Sequence, residues 1–198
     1  MFTGKRHMLN AISTKITNVL IKYACISKEN SELYSYGFRQ LFMMLLNISI
    51  TLLLGIIFNK LLQSILFSIV YIPIRSFAGG YHAKTPLRCT IFSTLMIFLV
   101  LLILKFIVLP IYVVILLWLI SVGIIISLSP VENRNKPLDA VEKLVYRKRT
   151  MFLLALNCII IIVFMIFSLN QLYTCVVLSL VSLSVMLLLG SFNNKTAT

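Results

Sequence analysis

The order of apolar and polar residues divides the chain into long hydrophobic blocks separated by short polar or basic stretches. A helix that crosses a membrane needs about 20 apolar residues, with a range of roughly 17–25. Six blocks approach this length, at residues 41–58, 61–74, 91–109, 111–129, 151–167 and 172–190. The block at 61–74 is the shortest, so two arrangements stay open: six spans, or five spans with a re-entrant segment. The pattern predicts an all-α, polytopic integral membrane protein that forms one domain over residues 1–198.

The arm before the first block, residues 1–38, has a different pattern. Between residues 8 and 26, apolar residues recur at spacings of three and four, as in an amphipathic helix. They are Leu9, Ile12, Ile16, Val19, Tyr23 and Ile26. Lys15 and Lys22 lie off this apolar face, which predicts an interfacial helix at the inner leaflet, in contact with anionic lipid. Packing of the same face against the spans is the alternative.

Composition supports the membrane assignment and excludes other classes. The chain is 60% hydrophobic and 12% charged, with a mean hydropathy of +1.03, whereas soluble domains are about 45–50% apolar and about 25% charged. A net charge of +13 suits a nucleic-acid-binding protein. The bases lie between apolar blocks instead of forming one patch, so no nucleic-acid partner is expected. Two histidines and four scattered cysteines predict no metal site, no cofactor and no disulfide framework.

The basic residues predict the orientation of the spans. Lys and Arg collect in cytoplasmic loops of membrane proteins, and 16 of the 18 bases fall in alternate connections of the six-span arrangement. This predicts a cell-membrane protein with both termini and the loops at 75–90 and 130–150 in the cytoplasm. Within the second loop, apolar residues from 138 to 145 predict a short amphipathic helix that ends in the bases at 147–149.

Candidate chemistry is concentrated in the loop sequence RSFAGGYHAKTPLRC, at residues 75–89. Thr85 is a good N-cap and Pro86 suits the first position of a helix, because its missing N–H costs nothing there. This start places Cys89 in the first turn of the helix. Unpaired N–H groups and the positive end of the helix dipole favour the thiolate form of a cysteine there, as do the flanking bases.

His82 is the candidate base for this cysteine. The two residues are seven apart, which on one straight helix corresponds to about 10.5 Å, too far for a hydrogen bond. A turn before Thr85 would bring His82 back over the helix start, where the pair can act as base and nucleophile. A loop histidine and a membrane-edge cysteine without a catalytic role are the alternative.

Gly79 and Gly80 permit positive φ and close approach of another chain, which makes this segment a candidate docking surface.

The loop resembles the accessory gene regulator B family, the membrane endopeptidases that process peptide pheromone precursors in Gram-positive bacteria. The resemblance rests on FAGGYHAKTPLRC at 77–89, ENRNKP at 132–137 and YGFRQ at 36–40. Length and hydropathy agree over almost the whole chain. The resemblance implies a cysteine endopeptidase of quorum sensing, in which Cys89 is the nucleophile and His82 its base.

The same resemblance implies the substrate and the partners. The family's substrate is a short precursor with an amphipathic leader, an internal cysteine or serine and an acidic C-terminal tail. The enzyme removes the tail and passes the new C-terminal carbonyl to the internal cysteine, which gives a thiolactone ring. A homodimer is also implied. Arg75, Lys84 and Arg88 are candidates for recognition of the acidic tail, with Gly79 and Gly80 as further substrate-binding positions, although positive-inside bias alone would place bases here.

Two questions stay open at this point. No acidic residue lies in the 75–89 loop to orient the histidine, so Glu32, Glu132, Asp139 or a backbone carbonyl is a candidate. The alternative function is a non-enzymatic peptide exporter or transporter subunit, which predicts ionisable residues facing one another inside several spans. Only Lys105 lies within a predicted span. The cysteines of the last two blocks, Cys158 and Cys175, are predicted to be inert packing residues.

Overall fold

The computed structural model describes residues 3–23, 27–81, 86–131 and 139–195. These ranges contain seven α-helices and no β-strand. In chain order the helices are α1 (Thr3–Lys22), α2 (Ser31–Ile57), α3 (Leu61–Ala78), α4 (Pro86–Phe106), α5 (Ile111–Leu128), α6 (Ala140–Ile166) and α7 (Asn170–Lys195). A single 3-10 turn at Lys28–Asn30 precedes α2. The predicted all-α class is confirmed.

Five helices are long and apolar enough to cross a membrane, namely α2, α3, α5, α6 and α7. This confirms a multi-pass membrane protein. α4 (Pro86–Phe106) is not counted among these five, so the number of crossings stays a prediction. The block at 61–74 is part of α3, which continues without a turn through Pro73 to Ala78. An unbroken helix favours a span over a re-entrant segment, because a re-entrant segment has to turn inside the membrane.

The sequence pattern predicts two helices, at 138–145 and 151–167, where the structure has only α6. The bases at 147–149 interrupt the hydropathy, but Arg and Lys are good helix formers and do not interrupt the helix. α6 begins after the N-cap residue Asp139, whose backbone N–H donates to Glu142 Oε2 at 3.3 Å as part of a capping box. The first turns of α6 therefore precede its apolar part as a rigid extension.

Residues Thr51–Thr198 form one compact unit and Met1–Ile50 another, and their boundary falls within α2. In the larger unit α7 is the central helix. Of the residues in its apolar window, 72% are buried, against 17–33% in α3, α5 and α6. It contacts α3, α4, α5 and α6. These four helices thus surround α7 and leave much apolar surface for lipid.

Hydrogen bonds attach α7 to its neighbours. Near the start of α7, Gln171 Oε1 accepts from Lys60 Nζ and, at 2.9 Å, from Gln63 Nε2, both from the beginning of α3. Further along, Ser184 Oγ donates to the carbonyl oxygen of Ser121 in α5 at 3.2 Å. In lipid the hydrophobic effect contributes little to helix association, so close packing and such hydrogen bonds hold helices together.

In the smaller unit, α1 confirms the predicted N-terminal helix. Its buried side carries Ser13 and Thr17, and Thr17 Oγ1 donates to the Ser13 carbonyl at 2.9 Å. Val19 and Tyr23, which belong to the predicted apolar face, are exposed. Exposed apolar residues on a basic helix suit an interfacial position, which stays a prediction. Ile26 lies outside the described residues.

The orientation predicted from the basic residues can be tested by cysteine accessibility. In a variant whose four native cysteines are serine, Ser168→Cys between α6 and α7 should react with a membrane-impermeant maleimide on intact cells. Lys143→Cys in the extension of α6 should react only after lysis, because the basic loops are expected in the cytoplasm. Both positions are exposed in the structure. If Lys143→Cys is labelled on intact cells and Ser168→Cys is not, the predicted orientation is wrong and the opposite one holds.

Candidate functional site

The connection between α3 and α4 carries the predicted chemistry. α3 ends at Ala78 and α4 begins at Pro86. The helix start predicted at Pro86 is confirmed, and it places Cys89 in the first turn of α4. The structure describes the connection as far as Tyr81.

Several predicted site residues lie outside the described part of the chain. His82 and Lys84 belong to residues 82–85, and the description of α4 does not extend to the side chains of Arg88 and Cys89. The ENRNKP stretch also falls outside. The roles predicted for these residues stay predictions.

Gly79 and Gly80 adopt positive φ angles, which glycine permits, of +75° and +125°. They turn the chain from the end of α3 across α7. Immediately after them, the Tyr81 N–H donates to the carbonyl oxygen of Met186 in α7 at 2.8 Å. Gly79 also pairs with Val131, which lies three residues after the end of α5, in an isolated parallel bridge. The segment is therefore joined to both α7 and the end of α5.

Three glycines allow the segment at 79–81 to pass close to α7 and to the end of α5. A Cβ added at Gly190 of α7 would lie 2.8 Å from the Tyr81 nitrogen, closer than real Cβ atoms come to other atoms. A Cβ at Gly80 would lie 3.2 Å from a backbone oxygen of α7, and one at Gly79 would collide with the Val131 carbonyl oxygen. The sequence permits close approach of another chain at the Gly-Gly pair, but in the structure other parts of the same chain make this approach. Substrate binding by Gly79 and Gly80 stays a prediction.

Tyr81 has contacts on three sides. Besides the bond of its N–H to Met186, its carbonyl oxygen accepts a hydrogen bond from Arg75 Nη2 at 3.1 Å. Its ring packs edge-on against the ring of Phe92 in α4, with 5.5 Å between centroids. Arg75 Nη1 donates to Tyr71 Oη at 3.1 Å, and the guanidinium carbon lies 5.7 Å from the centroid of the Tyr71 ring. Arg75, predicted to recognise substrate, is thus bonded to two tyrosines of its own chain.

The extension of α6 packs against the end of α3 next to this segment. The Tyr146 ring meets the Phe77 ring edge-on at 5.8 Å, and the Arg149 guanidinium lies 5.1 Å from the same ring. Thr150 is fully buried and donates its hydroxyl to the Tyr146 carbonyl at 2.8 Å. Arg149 therefore packs against α3, besides its predicted role in orienting the chain in the membrane.

The acidic candidates for orienting the histidine have other surroundings where they are described. Asp139 caps α6. Glu32 lines a polar cleft of about 480 Å³ between α1 and α2 of the smaller unit, together with Tyr36 and Arg39 of the YGFRQ stretch. Glu132 lies outside the described residues. Within the described ranges, no three His, Cys, Asp or Glu residues are grouped so that they could hold a metal ion.

The cysteines of the last two helices have the packing role predicted for them. Cys175 is fully buried in the core around α7, and its Sγ donates to the backbone oxygen of Gln63 at 3.2 Å. Cys158 is partly buried against the same core. Both are free thiols.

Sequence comparison decides the family. The model of the family named accessory gene regulator B matches residues 13–188, from α1 into α7. The chain belongs to the accessory gene regulator B family. Proteins of this family process the pheromones of quorum sensing. AgrB-like protein 2 of Clostridium perfringens (strain 13 / Type A) is 24% identical over 143 residues, which cover 69% of this chain and 67% of that protein. No solved structure matches the chain.

The close approach of the segment at 79–81 to α7 predicts that two helical glycines differ in their tolerance of substitution. Gly190→Ala should displace the segment at 79–81 and lower the free energy of unfolding by about 1–3 kcal/mol, as overpacking does. Gly123→Ala in α5 is the matched control, because its Cβ would meet no atom within 4 Å. It should be neutral or stabilising, since alanine is the better helix former. Equal thermal midpoints of the two purified variants would contradict the close crossing.

Proposed function

We propose that this protein is a membrane cysteine endopeptidase in which Cys89 is the nucleophile and His82 its general base. It removes the C-terminal tail of a small pheromone precursor through an acyl-enzyme thioester and supports closure of a thiolactone ring. Family membership supports pheromone processing. The observation that carries the proposed mechanism is the ring contact of Tyr81 with Phe92, because it joins the two stretches on which the dyad lies.

The contact supports the dyad through covalent and helical geometry. His82 follows Tyr81 directly, and consecutive Cα atoms are about 3.8 Å apart. Phe92 comes three residues after Cys89 on α4, and residues with this spacing are neighbours on a helix surface. Helical side chains lean toward the N-terminus, so the Phe92 ring covers the turn that contains Cys89. The residue before the proposed base therefore packs beside the turn that carries the proposed nucleophile.

The position of Cys89 also suits a nucleophile. α4 begins at Pro86, so Cys89 belongs to the first turn. Backbone N–H groups in this turn have no partner within the helix, and the positive end of the helix dipole favours negative charge. Both effects favour a thiolate, and the same N–H groups are candidate donors to the oxyanion that forms during acyl transfer.

The proposed reaction has two acyl transfers. The Cys89 thiolate attacks the scissile carbonyl carbon and forms a C–S bond; the C–N bond then breaks, and the His82 imidazolium gives its proton to the departing amine. In the second step the internal thiol of the precursor gives its proton to His82 and attacks the thioester. Cys89 leaves as a thiolate. One thioester replaces another, so the exchange is nearly isoenergetic, and a site with restricted water entry protects the intermediate from hydrolysis.

The proposed partners follow from this reaction and from the charge of the chain. The substrate is a precursor with an amphipathic leader and an acidic tail. Anionic lipid is the proposed contact of α1, and a second copy of the chain is a proposed partner by family resemblance. We propose a cytoplasmic position for both termini and the 75–90 loop, because Lys and Arg collect in cytoplasmic connections.

The alternative of a peptide exporter has less support in the described spans. It predicts ionisable residues that face one another inside the membrane. Lys105 Nζ instead lies 5.4 Å and 5.5 Å from the ring centroids of Phe58 and Phe106, near the end of α4. This arrangement suits a base that extends from a helix end toward the interface.

Co-expression with an epitope-tagged precursor from the protein's own gene neighbourhood tests the proposal. Cys89→Ala should abolish release of the tail, and His82→Ala should slow it by about 10²–10⁴-fold, as expected on loss of a general acid–base. Cys158→Ser, in the partly buried thiol of α6, should cleave as the native protein does. Immunoblotting of the precursor measures each outcome. Undiminished cleavage by Cys89→Ala or His82→Ala would refute the dyad.

A further inference from the structure

We propose that Arg75 is a positioning residue for His82 rather than a binding site for the acidic tail of the substrate. This inference rests on the proposed cysteine endopeptidase and adds a statement of how its base is held. It is carried by the hydrogen bonds and ring contacts that connect Arg75, Tyr71 and Tyr81.

The carbonyl oxygen that Arg75 binds belongs to the peptide unit that links Tyr81 to His82. A peptide unit is planar from one Cα to the next, so the direction of its C=O also determines the direction of the bond to the following residue. Arg75 Nη2 donates to this oxygen at 3.1 Å. The other backbone group of Tyr81, its N–H, is bonded to Met186 at 2.8 Å. Both backbone polar groups of Tyr81 are thus hydrogen-bonded. Arg75 binds the carbonyl, which is the group nearer to His82 in the chain.

The guanidinium of Arg75 is itself held in place by a buried ring. Tyr71, one turn earlier on α3, accepts a hydrogen bond from Arg75 Nη1 at 3.1 Å, and its ring lies 5.7 Å from the guanidinium carbon. Tyr71 is 8% exposed and stacks on Phe67, with 5.0 Å between centroids. A guanidinium presents its donors in one rigid plane, whereas the lysine ammonium is a compact charge on a flexible stem. The arrangement therefore requires arginine and not merely a positive charge.

The backbone of Arg75 takes part in the same turn. Its carbonyl oxygen accepts from the N–H of Gly79 at 3.1 Å, so Arg75 contacts the connection at the first glycine of the pair and again after the pair. Each of the side-chain bonds to Tyr71 and Tyr81 uses only one of the two N–H groups on its Nη atom, and together they set the plane of the guanidinium. A plane that is already set by Tyr71 and Tyr81 favours the positioning role.

The test uses the purified full-length protein in anionic nanodiscs and two synthetic precursors. One precursor has the acidic tail, and the other has the same tail with every Asp and Glu replaced by Asn and Gln. Arg75→Met should lower kcat about 100-fold, which is the scale expected for a misplacement near 1 Å. KM should stay within about threefold, and the loss should be equal for both precursors, because the tail is not what Arg75 contacts. Arg75→Lys should recover little of the activity, because it lacks the planar fork.

Tyr71→Phe provides a milder variant, because it keeps the ring and removes only the hydroxyl that holds Arg75. It should lower kcat by about threefold to tenfold, the scale of one hydrogen bond. If Arg75→Met does not fold, as judged by size-exclusion chromatography, Tyr71→Phe decides the question. Arg147→Gln is the matched control, because it removes an exposed cytoplasmic base from α6 and should leave both constants unchanged.

The pH profile of Cys89 alkylation by iodoacetamide gives a readout that a purely structural role would not move. In Arg75→Met this profile should shift toward that of His82→Ala, because a misplaced imidazole no longer pairs with the thiolate. A rise in KM for the acidic precursor alone, with kcat unchanged, would overturn the positioning role. So would native kcat in both Arg75→Met and Tyr71→Phe while His82→Ala is inactive, and that result would leave the endopeptidase proposal intact. Full activity of His82→Ala would instead refute the endopeptidase itself.

Discussion

The hydrogen bond from the Tyr81 N–H to the Met186 carbonyl is the contact on which the rest of the candidate site depends. It attaches the end of the α3 connection to α7, the most buried helix of the larger unit. Glycines on both sides of the crossing, Gly80 and Gly190, allow the two backbones to come this close. Because α7 also contacts α3, α4 and α5, one bond aligns the connection with the helices on either side of it.

Irregular backbone at the edge of a membrane has to satisfy its polar groups within the protein. Three backbone groups of the segment at 79–81 bond within the protein. The N–H of Gly79 bonds to Arg75 and that of Tyr81 to Met186, while the Tyr81 carbonyl accepts from the Arg75 side chain. Hydrogen bonds therefore fix the segment, although it has no regular secondary structure. In the proposed mechanism the base directly follows this segment, and general acid–base catalysis depends on positioning of the base.

Local sequence chemistry predicts much of this arrangement. Proline after threonine predicts the start of α4 at Pro86, and the Gly-Gly pair permits the positive φ found at residues 79 and 80, because both features depend on local residue types. The contact of this segment with α7 could not be predicted, because Tyr81 and Met186 are far apart in the sequence. The apolar block at 172–190 also gives no sign of which side of the helix faces the segment. The sequence pattern also does not predict that α6 is continuous, because hydropathy does not distinguish a charged helical turn from a loop.

The bases that are predicted to face the cytoplasm show why charge alone could not assign a role to Arg75. Positive-inside bias places Lys and Arg in these connections whatever else they do. Once placed, their side chains meet different surroundings: Arg147 is exposed, Arg149 lies on the ring of Phe77, and Arg75 bonds to two tyrosines. The topological role needs only the charge, so the donors of each guanidinium are available for a local contact. One base of the +13 chain can therefore hold the backbone of the candidate site and also contribute to the predicted orientation.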